Sequence, residues 1–239
     1  MSILRRQKLL DLARQYNFFI VEDSVYNSFT YLQKKNPTLK SLDRFNRVIY
    51  VGSFSKSLFP GLRIGMIVAD QQLKDAKGNT IDLIDQMAKV KVQLTNNTST
   101  ISQAILGGVL LSHQGSLNEW NQPKFDSYKN KRDCILASLD EHIGKFKHDW
   151  AKEISWNKPD GGFFIKVNLP FEVDDNSVAD CASKFNIIIC PMRYFYLNDG
   201  GEKEIRITFS NLSIDKIDEG IKQLAFYLKY NINSNTCLA

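Results

Sequence analysis

No stretch of the chain approaches the ~18–20 consecutive apolar residues that a membrane-spanning helix needs. The longest apolar runs, such as Phe18–Val21 and Ile187–Cys190, have the length of a strand. The opening Met1-Ser-Ile-Leu-Arg-Arg has no long apolar region and no small-residue cleavage site, so it does not read as a secretory signal. Cysteine is scarce. Cys134, Cys181, Cys190 and Cys237 stand far apart in no Cys-x-x-Cys pair, which argues against a disulfide framework or a zinc site and reads as free thiols in a reducing cytoplasm. His113, His142 and His148 have neither metal-ligand spacing nor a partner nucleophile, so no metal is expected. With 13 Gly and 6 Pro, the chain is not collagenous or low-complexity. The charge balance of 31 basic against 26 acidic residues leaves +5 spread along the chain, which marks no nucleic-acid partner. Arg5, Arg6, Lys8 and Arg14 read as a solvated helix face.

What is present is an ordinary globular composition, 43% hydrophobic and 24% charged over 239 residues, enough for one large domain or two modest ones. Leu4, Leu9, Leu12, Ala13 and Tyr16 recur at roughly helical spacing. Phe18–Val21 then reads as a short buried strand ending in Glu22-Asp23, whose side chains point to opposite faces if the strand continues. Residues 33–43 read as loop. Val48–Val51 and Ile64–Val68 are further strands of continuous apolar character, which predicts a sheet covered on both faces. Residues 81–112 carry a helical pattern interrupted at Asn96-Asn-Thr-Ser99, and 128–139 continue as helix. From about Trp156 the texture changes. Strands are predicted after Gly161-Gly162, at 187–190 and at 205–209, with a short helix at 178–185. Ile214, Ile217, Ile221, Leu224 and Leu228 step by 3, 4, 3 and 4 and give the clearest helix; the polar residues 231–239 read as a frayed tail. The domain reading is an α/β portion over 1–112 and a helical connector with an α+β portion over 113–239.

Chemistry concentrates in Ser53-Phe-Ser55-Lys56-Ser-Leu-Phe-Pro60-Gly61-Leu-Arg63-Ile-Gly65. A lysine directly follows a strand, among serines, glycines and an arginine. Small residues let a ligand approach the backbone, hydroxyls and an arginine fork suit a phosphate, and a lysine amine is a usable nucleophile toward carbonyls. A phosphate-bearing aldehyde calls for all of these together.

This string resembles the cofactor-lysine motif of fold-type I pyridoxal-phosphate (PLP) enzymes in the class I/II aminotransferase branch, nearest to 2-aminoadipate-type aminotransferases and to the aminotransferase-like domain of MocR-type regulators. Phe19-Ile-Val-Glu-Asp23-Ser-Val-Tyr26, Arg47 to Lys56, Lys158-Pro-Asp-Gly-Gly-Phe-Phe164 and Ile205-Arg206-Ile-Thr-Phe-Ser-Asn211 follow in the family's order, so the resemblance spans about residues 3 to 229. It implies a PLP-dependent transferase-like α/β large domain, with a mostly parallel sheet flanked by helices, followed by a small α+β C-terminal domain. It implies pyridoxal 5'-phosphate as cofactor and amino transfer between an α-amino acid and a 2-keto acid. Lys56 forms the internal Schiff base and carries the proton. Asp23 pairs with the pyridine nitrogen, Tyr26 bonds the ring's phenolic oxygen, and Ser53, Ser55 and Arg63 hold the phosphate. Arg206 takes the substrate α-carboxylate.

The same resemblance implies a chain that begins late, with an incomplete large domain. The missing portion carries a glycine turn for the phosphate and an aromatic ring stacked on the cofactor. The expected partners are therefore a second copy or a complementing N-terminal chain, with no nucleic acid and no membrane. Cys190-Pro-Met-Arg193 departs from the family, which often has glycine after this proline; Arg193 is read as solvent-facing. Two other readings stand beside the transferase: a non-catalytic PLP-sensing domain of a MocR-type regulator, and a lyase, cyclase or oxidase of the same fold.

Overall fold

The computed structural model describes residues 1–26, 28–32, 36–144 and 146–236, with side chains through 234. Cys237 and part of the expected 33–43 loop lie outside the described residues. Two compact units are present, residues 1–122 and 123–239.

The first unit opens with helix α1 (Ile3–Gln15), whose N-cap Ser2 accepts a hydrogen bond from the Arg5 amide. Leu10 and Ala13 are its buried residues, whereas Leu4 is 78% and Tyr16 66% exposed; the inward stripe runs through a leucine that the sequence reading passed over. Strand β1 is Ile20–Asp23, helix α2 is Leu39–Leu42 and strand β2 is Val48–Ser53. The predicted 33–43 loop thus contains a helical turn, capped by the Thr38 hydroxyl on the Ser41 amide. Leu10, Leu39 and Val48 bury together, with Leu9, Ile20 and Leu42 against them, so α1 and α2 cover this side of the strands. Strand β3 (Gly65–Val68) completes a three-stranded sheet of order β1-β2-β3, parallel between β1 and β2 and antiparallel between β2 and β3.

The expectation of a sheet covered on both faces fails here. Phe18 and Phe19 lie outside the strand and are exposed, Val21 is 65% exposed, and every residue of β3 is exposed. Apolar composition alone cannot distinguish a strand sealed on both faces from one lying open. A hairpin absent from the sequence reading follows, β4 (Gln72–Lys74) with β5 (Thr80–Asp82), and Ile81 belongs to it instead of to a helix. Asp75 closes its turn by accepting from the Lys77 and Asn79 amides. Helices α3 (Leu83–Thr95) and α4 (Thr100–Ser112) then form, divided at the predicted Asn96–Ser99 break; Ser99 caps α4.

Helix α5 (Asn118–His142) is longer than predicted and runs through Pro123 at the boundary of the units. In the second unit, β6 (Ser155–Trp156), β7 (Phe164–Asn168), β8 (Cys190–Pro191) and β9 (Glu204–Thr208) form an antiparallel sheet of order β6-β7-β9-β8. Strand β8 starts later than the predicted 187–190, and Ile188 is 83% exposed. Ile165, Val167, Ile205 and Phe209 are fully buried, so one face of this sheet is core. Helix α6 (Asp175–Phe185) begins with a reciprocal capping box between Asp174 and Ser177. Helix α7 (Ile214–Thr236) buries Ile217, Ile221, Leu224 and Leu228 of the predicted stripe, whereas its first member Ile214 is 50% exposed, and the helix continues to Thr236 where fraying was expected from residue 231.

Candidate functional site

Strand β2 delivers the chain into the turn that carries Lys56. The Phe54 amide donates to Ile64 O at 3.0 Å and the Leu58 amide to Phe54 O at 2.9 Å. Beneath the turn, Leu58, Leu62 and Ile64 bury with Leu106 of α4, flanked by Phe54, Val109 and Leu110. Ser57 and Leu58 face inward, which leaves the Lys56 amine outside on an anchored turn.

The polar side chains around it are already linked. Ser53 Oγ accepts the Ser55 amide at 3.1 Å, and Arg63 Nη1 donates to Ser55 Oγ at 3.3 Å and to Pro60 O at 3.2 Å. Arg63 ends a short 3-10 turn, Pro60–Leu62, in the left-handed region at φ 50 and ψ 43. That conformation costs a non-glycine residue about 1 kcal/mol, and such positions cluster where ligands are held. Ser53, Ser55, Lys56 and Arg63 are therefore brought into one turn.

Asp23 is the last residue of β1 and pairs with Val51 of β2. Since β1 and β2 are parallel, Asp23 and the Lys56 turn leave the sheet at the same carboxyl end, where open α/β sheets bind ligands. Asp23 Oδ1 accepts the Val25 amide at 3.1 Å, and Tyr26 follows in the same turn, exposed. The alternation of β1 separates the adjacent carboxylates as expected. Asp23 is exposed, whereas Glu22 is buried and accepts the Leu39 and Lys40 amides at 2.8 and 2.9 Å and Arg6 Nη1 at 3.2 Å.

Arg206 belongs to the second unit, in the middle of β9, with Lys166 of β7 and Cys190 of β8 as its cross-strand partners. Its guanidinium carbon lies 4.3 Å from the Phe164 ring centroid and 4.1 Å from that of Phe195. The sequence reading passed over these two rings. Phe164 was visible only as one of a Phe-Phe pair, and Phe195 reaches Arg206 through a strand register that periodicity does not reveal. Arg193 is exposed, 3.9 Å from Asp175 and beside Tyr194. His113 stacks edge-on with Trp120, His142 meets Asp218 at 3.2 Å, and His148 meets the Glu141 carbonyl at 2.9 Å. Among the described residues no cluster of His, Cys, Asp or Glu could hold a metal ion.

The donor set of the first unit is one amine, one carboxylate, two hydroxyls and a guanidinium at one sheet end. It fits a phosphate-bearing aldehyde with a basic ring nitrogen: guanidinium and hydroxyls for the phosphate, the amine for the aldehyde, the carboxylate for the ring N–H.

Comparison with known proteins identifies the class of protein that this geometry defines. The chain belongs to the class I and II aminotransferase family, whose sequence model matches residues 3–224. Among curated relatives, the (S)-3,5-dihydroxyphenylglycine transaminase of Amycolatopsis orientalis is 37% identical over 225 residues, which are 94% of this chain and 49% of that protein. Among solved structures, the multiple substrate aminotransferase of Thermococcus profundus superimposes with a TM-score of 0.82 at 30% identity, over 98% of this chain and 53% of that one. The α-aminoadipate aminotransferase LysN of Thermus thermophilus, solved with N-(5'-phosphopyridoxyl)-L-leucine, gives a TM-score of 0.81 at 25% identity, over 98% of this chain and 55% of that one. The chain thus spans about half the length of the relatives it matches.

Proposed function

We propose that this chain is part of a PLP-dependent aminotransferase that moves an amino group between an α-amino acid and a 2-keto acid. The observation that carries the reading is the anchored turn at the carboxyl end of β2. It presents Lys56 outward beside Ser53, Ser55 and Arg63, at the sheet end where β1 presents Asp23.

In this reading Arg63 and the two serine hydroxyls hold the phosphate by charge-assisted hydrogen bonds. Asp23 would accept a hydrogen bond from the ring N–H and keep that nitrogen protonated, and Tyr26 would donate to the phenolic oxygen. When bound, the cofactor supplies an electron sink for a carbanion next to the substrate's amino group. The Lys56 amine would hold the cofactor's aldehyde and, when free, would move the substrate's α-proton as a general base and acid. Arg206 binds the substrate α-carboxylate as a planar fork.

Residues 1–112 form part of the large cofactor domain, and 113–239 form the connector and small domain. The partners are the two small-molecule substrates, together with a second copy or a chain that completes the large domain. The first unit's uncovered strands support the second of these. A cytoplasmic location accords with the free thiols of Cys134, Cys181 and Cys190.

The test is to add PLP to the purified chain and to a Lys56→Ala variant, reduce with borohydride, and locate adducts by mass spectrometry. A phosphopyridoxyl group on Lys56 in the parent, with the visible absorbance band lost in the variant, supports the reading. Equal bands in both proteins, or label spread over surface lysines, overturns it for this chain.

A further inference from the structure

The second unit's sheet has a buried apolar face and an opposite face of charged and aromatic residues. Along β9 that second face carries Glu204 and Arg206; across from them β7 contributes Phe164 and Lys166, and β8 contributes Cys190. A glutamate two residues from an arginine on the same strand face is the obvious ion-pair partner, yet it is engaged elsewhere. Glu204 pairs with Lys166 at 2.5 Å and accepts the Tyr196 hydroxyl at 3.1 Å. Arg206 is left with the two phenylalanine rings and a long contact of 4.0 Å from Nη2 to Cys190 Sγ. Among the described residues no oxygen accepts from its guanidinium.

We infer that Phe164 and Phe195 are positioning residues that hold Arg206 as a preset fork for a substrate carboxylate. This rests on the reading of Arg206 as the carboxylate-binding residue. The rings favour the cation through their faces and accept none of its in-plane hydrogen bonds, so the fork is steadied without its donors being used. They come from separate elements, Phe164 from the start of β7 and Phe195 from the short 3-10 turn Met192–Phe195 after β8. Two independent anchors fix the plane better than one. An arginine side chain has many rotamers to lose on binding, and fixing it beforehand removes that cost from the binding step. The engagement of Glu204 by Lys166 and Tyr196 is the second half of the device, because it keeps an internal carboxylate from occupying the fork.

The test follows the backbone amide resonances of Phe164–Asn168 and Glu204–Thr208, the paired strands around Arg206, in the full ¹⁵N-labelled chain while sodium acetate is added against sodium chloride at matched ionic strength. The expected result is a saturable acetate response in the parent and none in Arg206→Lys. Phe195→Leu and Phe164→Leu each weaken acetate binding about three- to tenfold, the range of a cation–π contact. Phe195→Tyr, which keeps a ring, binds as the parent does. Phe195 is half exposed, so Phe195→Leu keeps the fold and carries the test by itself if Phe164→Leu unfolds. Parent-like acetate affinity in Phe195→Leu, with Arg206→Lys inactive, overturns the positioning role and leaves the fork standing. No response in the parent, or an unchanged one in Arg206→Lys, removes the fork and the positioning role with it.

Discussion

At the scale of single residues, burial separates side chains with a structural task from those with a chemical one. Glu22 is a buried carboxylate that joins three segments: it accepts two amides at the start of α2 and the guanidinium of Arg6 from α1. Replacing it with glutamine removes the charge from all three bonds and turns an N–H toward other donors. We expect Glu22→Gln to cost about 2–3 kcal/mol, the range for hydrogen bonds to a charged group, read as a lower midpoint in urea unfolding. In the second unit Cys181 and Tyr227 are buried, and burial pushes both the thiol and the phenol up to about 12 from ordinary values of 9.0 and 10.0. Their neutral forms favour the folded chain fully below about pH 9, and that contribution is lost as pH rises toward 12. Unfolding midpoints measured from pH 8 to 11 should fall over this window, and Cys181 should resist alkylation at pH 8 until the chain unfolds.

At the scale of elements, the Lys56 turn depends on α4. Leu106 is the one α4 residue that buries with Leu58, Leu62 and Ile64. Leu106→Ala leaves a cavity under the turn and should cost about 2–4 kcal/mol, with faster amide exchange at Phe54–Leu58 as the local sign. The sequence made some elements plain and hid others for reasons visible in particular residues. Helix α7 was legible because its five apolar residues keep one period over four turns. The Lys56 string was legible because its residue types are chemically specific and contiguous. Arg206 could be named by resemblance, but its ring neighbours could not, because they depend on the pairing of β7, β8 and β9 across distant segments. The β4–β5 hairpin was hidden because each strand is three residues long, too short to show alternation. Strand β3 was legible as a strand; its exposure was not, since an apolar run records what a residue can be buried against and not whether anything covers it.

At the scale of the molecule, the first unit presents strands that lack neighbours. Among the described residues, strands β1 and β3 each pair only with β2, which leaves two edges, and Met66, Ile67 and Val68 on one of them are 43, 42 and 46% exposed. Helix α3 buries none of its residues, and Val90, Val92 and Leu94 are more than half exposed. Apolar edges of this kind recruit other strands. The chain alone should associate as concentration rises, with the weight-average mass increasing in sedimentation runs, and Ile67→Lys with Val68→Lys should reduce that rise. A chain that stays monomeric at all concentrations would show these edges to be inert.

One feature of α5 bears on how the chain comes apart. Proline has no N–H to give the Glu119 carbonyl, so Pro123 breaks the hydrogen-bond ladder of a 25-residue helix at the point where the two units divide. The residues before it are tied to the first unit, where the Trp120 ring meets His113 at the end of α4. Those after it are tied to the second, where Lys131 donates to Ser210 and Ser138 to Asp218. A single helix is thereby split between two cooperative blocks, and melting of the first unit need not travel along α5 into the second. Calorimetry of the chain would then record two transitions sharing one helix, with the proline as the seam between them.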